Sequence, residues 1–98
     1  MKFVQTIVVR SSDGAALADL TAAWHATELG HAPGYLGSRL LVDREAPNRY
    51  QLIIEFSSAE EAQMNNDRPE TQAWAAKLSS IIEGDPDFGN FDEVQAVG

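Results

Sequence analysis

Tyr50-Gln51-Leu52-Ile53-Ile54-Glu55-Phe56-Ser57-Ser58-Ala59-Glu60-Glu61-Ala62 is a strand pattern that runs straight into a helix start, with almost no loop between them. Ser57 stands three residues before Glu60, and Ser58 three before Glu61. Either pair can form a capping box, in which a hydroxyl and a carboxylate satisfy amides that the first helical turn leaves unpaired. This joint fixes a strand-to-helix transition near residue 58, and the remaining elements are read outward from it.

Upstream, Arg49 to Phe56 and Tyr35 to Asp43 both read as strands. The polar stretch Arg44-Glu45-Ala46-Pro47-Asn48 between them is short enough for an antiparallel hairpin. Phe3 to Arg10 is a further strand, rich in β-branched residues. Ser11-Ser12-Asp13-Gly14 stops it and offers an N-cap. From Ala15 to Leu29, Leu17, Leu20 and Trp24 recur at helical spacing, and Gly30 ends that helix. Downstream, Ala59 to Ile82 is helical but interrupted by Pro69, which cannot donate an amide and forces Arg68 out of the helical region. Asp67 with Glu70 reads as a fresh helix start, followed by an apolar stripe of Trp74, Leu78, Ile81 and Ile82. Gly84-Asp85-Pro86 closes it, and Phe91 to Val97 is expected as a terminal strand. The order β-α-β-β-α-β defines an α+β, ferredoxin-like fold: a four-stranded antiparallel sheet with its helices on one face.

The chain has 98 residues, 44% of them apolar, and this length suits one domain spanning 1–98. Seven basic against fifteen acidic residues give a net charge of −8, which repels phosphate backbones and anionic lipid; nucleic acid and membranes are not expected partners. With no cysteine there are no disulfides, thiolate nucleophiles or cysteine-ligated centres. The early polar turn of the N-terminus and the lack of a long apolar run lead us to expect a soluble, cytoplasmic protein.

Strand parity divides the sheet into two faces. Phe3, Ile7, Val9, Leu36, Leu40, Val42, Tyr50, Leu52, Ile54 and Phe56 make the expected helix-facing core. The other parity carries Val4, Val8, Leu41, Ile53, Val94 and Ala96 among Thr6, Arg39, Gln51 and Glu55. At roughly 25 cal/mol per Å² of apolar area, leaving those aliphatic side chains in water forgoes several kcal/mol, so a sheet-to-sheet homodimer is expected. Pairing Leu40 with Ile54 and Val42 with Leu52 in the hairpin would set Arg39 opposite Glu55 as a cross-strand ion pair.

The element order, the Ala32-Pro33-Gly34-Tyr35 lead-in to the second strand and the Glu55-to-Ala62 joint together resemble the antibiotic biosynthesis monooxygenase family of dimeric α/β barrels. The resemblance spans nearly the whole chain. It implies a homodimer whose subunits each hold a small aromatic or apolar ligand between helices and sheet. It also implies a cofactor-independent monooxygenase acting on a phenol, quinol or polyketide-like substrate, with no metal or other cofactor. Members of that family place a tryptophan where this chain has Phe56 and often a histidine near Asn65, so both positions depart from the pattern. In the haem-degrading branch the corresponding places carry an asparagine, a tryptophan and a ligating histidine; here they hold Ile7, Phe56 and Trp74, and no axial ligand remains.

By the resemblance, Asn65, Trp74 and His25 are the candidate catalytic residues, and Trp24, Arg39, Tyr50, Phe56 and His31 the candidate substrate contacts. Each also has a plainer account. Trp24 and Trp74 sit on apolar stripes, where tryptophan is ordinarily core. Asn65 precedes a helix break, where carboxamides satisfy freed backbone groups. His25 and His31 flank a helix end with no carboxylate at metal-site spacing. Rival functions are an isomerase or cyclase of the same fold, with His25 or His31 moving a proton, and a non-catalytic ligand-binding barrel.

Overall fold

The computed structural model describes residues 1–98 and contains β1 (Phe3–Arg10), α1 (Gly14–Glu28), β2 (Tyr35–Asp43), β3 (Ala46–Phe56), α2 (Ala59–Asn66), α3 (Pro69–Ile81) and β4 (Glu83–Asp92). The strands form one antiparallel sheet in the order β2-β3-β1-β4, with the helices on one face. The second helical region is thus two helices, divided at Pro69. Arg68, pushed to φ −79° and ψ 141°, is the N-cap of α3, and Asp67 instead closes α2 in a helical conformation. The residue before a proline must be extended, so the boundary moved one residue past the expected aspartate. No helix is long and apolar enough to cross a membrane.

The joint after β3 forms as the sequence indicates. Ser58 caps α2 by accepting from Glu61 N–H (3.2 Å), but the Glu61 carboxylate accepts from the hydroxyls of both Ser57 (2.5 Å) and Ser58 (3.1 Å) rather than from a main-chain amide. At α1, Asp13 accepts from Ala16 N–H at 3.0 Å. Ser11, 1% exposed, accepts from Asp13 N–H and donates to the Ile81 carbonyl at 2.6 Å, which pins the end of β1 to the end of α3.

Four expectations are corrected. The hairpin turn is only Arg44-Glu45, because the Asp43 carboxylate accepts from Glu45 N–H (2.8 Å) and from Arg49 Nη1 (3.0 Å) and so closes the chain early. The tighter turn slips the register by two residues. Leu40 pairs with Leu52, Val42 with Tyr50 and Arg39 with Ile53, while Glu55 takes Lys2 (3.4 Å) as its ion-pair partner in place of Arg39. A slip of two preserves which side chains share a face. At the other end of β2 an irregularity at Leu36 puts Tyr35, not Leu36, against Phe56; Tyr35 is 5% exposed and Leu36 47%. Val42 has core parity, but beside the turn it remains 54% exposed.

The fourth correction concerns the last strand, which begins at Glu83 and ends at Asp92, so Val94 and Ala96 lie beyond the sheet and Val94 is 89% exposed. Its sequence, Glu-Gly-Asp-Pro-Asp-Phe-Gly-Asn-Phe-Asp, reads as loop by propensity. Pairing with β1 supplies the hydrogen bonds that propensity does not, and an edge strand tolerates Pro86 and repeated acids. Pro86 falls where the register shifts between Val8 and Arg10.

Candidate functional site

Only 13 of the 98 residues are buried, because the space between helices and sheet is not filled by side chains: it encloses a cavity of about 660 Å³. Register builds its floor as rows that cross the sheet. Leu40, Leu52, Ile7 and Phe88 form one row, Ser38, Ile54, Gln5 and Asn90 the next, and Tyr35, Phe56 and Phe3 a third. The middle row sets three polar side chains beside the apolar row of Leu40, Leu52, Ile7 and Phe88, and all four of its members line the cavity.

The roof comes from the helices. Trp24 of α1 and Trp74 of α3 pack with centroids 5.9 Å apart at 56°, and both line the cavity with Asn65 of α2. Asn65 is 4% exposed. Its Oδ1 accepts from Arg68 Nη1 (3.2 Å) and Thr71 Oγ1 (3.1 Å). Since arginine can only donate, this contact fixes the amide with its oxygen toward Arg68, and no protein group accepts from Asn65 Nδ2. Arg68 is held in turn by Glu28 of α1 (2.8 Å) and by Glu70 (3.1 Å). The Glu28 contact is an ion pair by distance, without the angle of a hydrogen bond. Trp74 Nε1 is buried with no partner. A buried indole N–H without an acceptor is uncommon; the Trp74 ring lines the cavity, but its Nε1 has almost no surface open to that space.

None of the side chains that line the cavity is ionisable, although the chain carries a net charge of −8. Transferring an ion into such a space without a counter-charge is costly, so the cavity suits an uncharged guest. Nowhere do three or more His, Cys, Asp or Glu side chains gather as metal ligands.

The expected site residues therefore divide into two sets. Asn65, Trp74, Trp24 and Phe56 converge on the cavity. His25 lies outside it, in a shallow depression on the flank of α1 that meets the cavity at Thr21 and Ser38. Its Nδ1 is 2.8 Å from the Tyr35 hydroxyl, and that hydroxyl is 3.1 Å from Ser38 Oγ. Arg39 is exposed on the opposite parity, His31 is exposed in the turn after α1, and the Tyr50 ring lies against Gly14; none of these three lines the cavity. Sequence reading missed Gln5, Ser38, Tyr35 and Asn90. Gln5 carried a usable signal, as the one polar residue among Phe3, Ile7 and Val9 on a core-facing parity.

The fold is ferredoxin-like, and solved structures that share it cover almost all of this chain. A candidate antibiotic biosynthesis monooxygenase from Caulobacter crescentus superposes with a TM-score of 0.81 at 14% identity, covering 96% of this chain and 91% of its own. A second, from Nitrosomonas europaea, gives 0.77 at 13% identity, with 99% and 94% covered. SnoaB, a cofactor-independent oxygenase from Streptomyces nogalater, gives 0.73 at 21% identity, with 98% and 94% covered. No family model and no curated protein sequence matches the chain.

Proposed function

We propose that this chain is a cytoplasmic, homodimeric monooxygenase of the antibiotic biosynthesis type, oxidising an uncharged, flat phenol, quinol or polyketide-like molecule with dioxygen and without a cofactor. The observation that carries the reading is a neutral, aromatic-walled cavity of about 660 Å³ in which Asn65 Nδ2 is a donor with no protein acceptor. That volume accommodates a molecule of several fused rings. The likeness to SnoaB supports the oxygenase chemistry, and the neutral cavity with its aromatic walls supports a flat, uncharged substrate.

In such a reaction the substrate loses a proton to become an electron-rich enolate or phenolate, which passes one electron to dioxygen. The two radicals combine into a peroxide, and loss of water leaves a carbonyl where a methylene stood. One dioxygen is consumed, one oxygen atom enters the product and the other leaves as water. Asn65 would donate to the oxygen that gains charge, from a side chain already fixed by Arg68 and Thr71, so that this donor need not reorganise during the reaction. Trp24, Phe3, Phe56 and Phe88 would hold the rings.

The dimer reading rests on the sheet's other face, where Val4, Val8, Ile53, Leu41 and Phe91 share a parity, with Leu41 44% and Phe91 55% exposed. Phe91 stands there, where Val94 and Ala96 were expected.

Oxygen uptake with hydroquinones and anthrones, with and without a chelator, tests the activity. Chelator-resistant uptake is expected, equimolar with anthraquinone from an anthrone or with hydroxyquinone from a hydroquinone, and without release of hydrogen peroxide. Conversion without oxygen uptake would make the protein an isomerase or cyclase, and binding without conversion a ligand-holding barrel.

A further inference from the structure

A cavity without an ionisable wall has donors for a developing anion but no base to create one, and the oxygenase reading needs a proton removed before dioxygen reacts. The His25–Tyr35–Ser38 chain fills that gap. Ser38 Oγ stands in the cavity wall, Tyr35 is 5% exposed beneath it, and His25 is open to solvent at the far end, with contacts of 3.1 Å and 2.8 Å between them. The Tyr35 ring is held edge-on by both His25 (5.7 Å, 70°) and Phe56 (6.1 Å, 64°), so its hydroxyl has a fixed place between the two partners.

We propose that His25, Tyr35 and Ser38 form a proton relay, with Ser38 as the group that meets the substrate and His25 as the base outside the cavity. The proposal rests on the oxygenase reading of that cavity. The substrate O–H or acidic C–H gives its proton to Ser38 Oγ as the serine hydroxyl proton passes to Tyr35 Oη and the tyrosine proton passes to His25 Nδ1. Serine and tyrosine end neutral, the substrate carries the negative charge, and the imidazole becomes imidazolium. This direction requires the Nε2–H tautomer of His25 at the start, and solvent then takes the proton. The depression around His25 is lined by Ala18, Thr21, Ala22, Ser38 and Leu40, none of them ionisable. Tyr35 of β2 is the titratable group in contact with it, and Glu28, three residues further along α1, is paired with Arg68 ahead of α3.

Two measurements test the relay. First, imidazole ¹⁵N spectra of the whole protein are recorded with 4-nitrophenol as probe. We expect the His25 Nδ1 signal of an acceptor in the free protein, shifted by the probe in the wild type but not in Tyr35→Phe or Ser38→Ala. Second, oxygen uptake with an anthrone is followed against pH. General-base help contributes about 10²-fold or more, so His25→Gln, Tyr35→Phe and Ser38→Ala should each lower kcat by that order with KM changed less than about threefold. In His25→Gln the acid limb of the kcat profile should vanish, which a merely structural role for His25 would not cause. Probe binding that leaves the His25 signals unmoved, or variants that keep the wild-type rate and pH profile, would overturn the relay and leave the cavity reading intact. Failure of the wild type to bind any phenol would overturn both.

Discussion

The main-chain carbonyl of Gly34 accepts from the amide of Ser57 at 2.8 Å, and this bond fastens together the two stretches that point to the fold, the lead-in to β2 and the β3–α2 joint. Gly34 has φ +67°, and a Cβ there would come within 2.6 Å of Glu61 Cβ and 2.8 Å of Ser57 Oγ. The capped start of α2 therefore sits directly on a glycine. The same packing sets Tyr35, the next residue, against Phe56.

Gly34→Ala should destabilise the protein by about 2–4 kcal/mol, the sum of a left-handed backbone and an overlap. Gly30 has φ +86° with nothing within 4 Å of its absent Cβ, so Gly30→Ala should cost only about 1 kcal/mol. Urea unfolding of both variants separates the steric part from the conformational part. Equal losses would show that α2 yields freely at Gly34.

Asn65→Ala removes the acceptor for Arg68 and Thr71 and should lower stability by about 1–3 kcal/mol, along with ligand affinity. Asn65→Asp keeps an acceptor beside Arg68 but loses the N–H₂ offered to the cavity. It should unfold later than the alanine variant and still bind a neutral phenol about tenfold more weakly in calorimetry.

Trp74→Phe retains an aromatic ring against Trp24 and deletes an N–H that has no partner in the protein. The stability change should stay within about 1.5 kcal/mol, as for a conservative core exchange. Because Nε1 is closed off from the cavity, affinity for a phenolic probe should change less than about threefold. A loss of about tenfold in a fluorescence titration would mean that the indole turns its N–H to the ligand.

The Asp43 carboxyl is held below its ordinary value of 3.8, first by the Glu45 amide and then by Arg49. A lowered native pKa means that this contribution is complete above the unfolded value near 3.8 and is lost as pH falls through the lower native value. Carbon-13 titration should therefore place the Asp43 midpoint below 3.8, and in Arg49→Gln the midpoint should move upward but not fully back, since the Glu45 amide remains.

Leu41→Glu sets a charge on the apolar sheet face away from the helices, at a position that is 44% exposed in the protomer. Sedimentation equilibrium should give twice the 10.7 kDa chain mass for the wild type and a value approaching 10.7 kDa for the variant. A wild type already monomeric at all concentrations would remove the dimer.

Local signals made most of the fold readable. The Ser58–Glu61 cap, the Asp13 cap and Pro69 each act within a turn of the chain, and each stands close to where the pattern put it. The acid- and glycine-rich segment from Glu83 to Asp92 was not legible, because nothing in it favours a strand until β1 offers an edge. Among the site residues, Trp24, Phe56, Asn65 and Trp74 lie on elements whose phase the sequence sets. Arg39 was chosen although its parity put it on the face away from the helices, and Tyr50 and His31 were chosen by residue type, which does not say that a side chain reaches the cavity.

The sequence by itself determined the order of the elements from β1 to α3, most of the alternation between the two faces of the sheet and the helix boundaries to within about a turn, since these depend on short-range capping, proline geometry and alternation. Only the tertiary structure decided that Ser38, Gln5 and Asn90 fall in one row across three strands, that Tyr35 lies between His25 and Ser38, and that the space above them holds no charge. Those relations depend on register and on how the helices lie over the sheet. A two-residue difference in a hairpin turn changes the first, and no local pattern encodes the second.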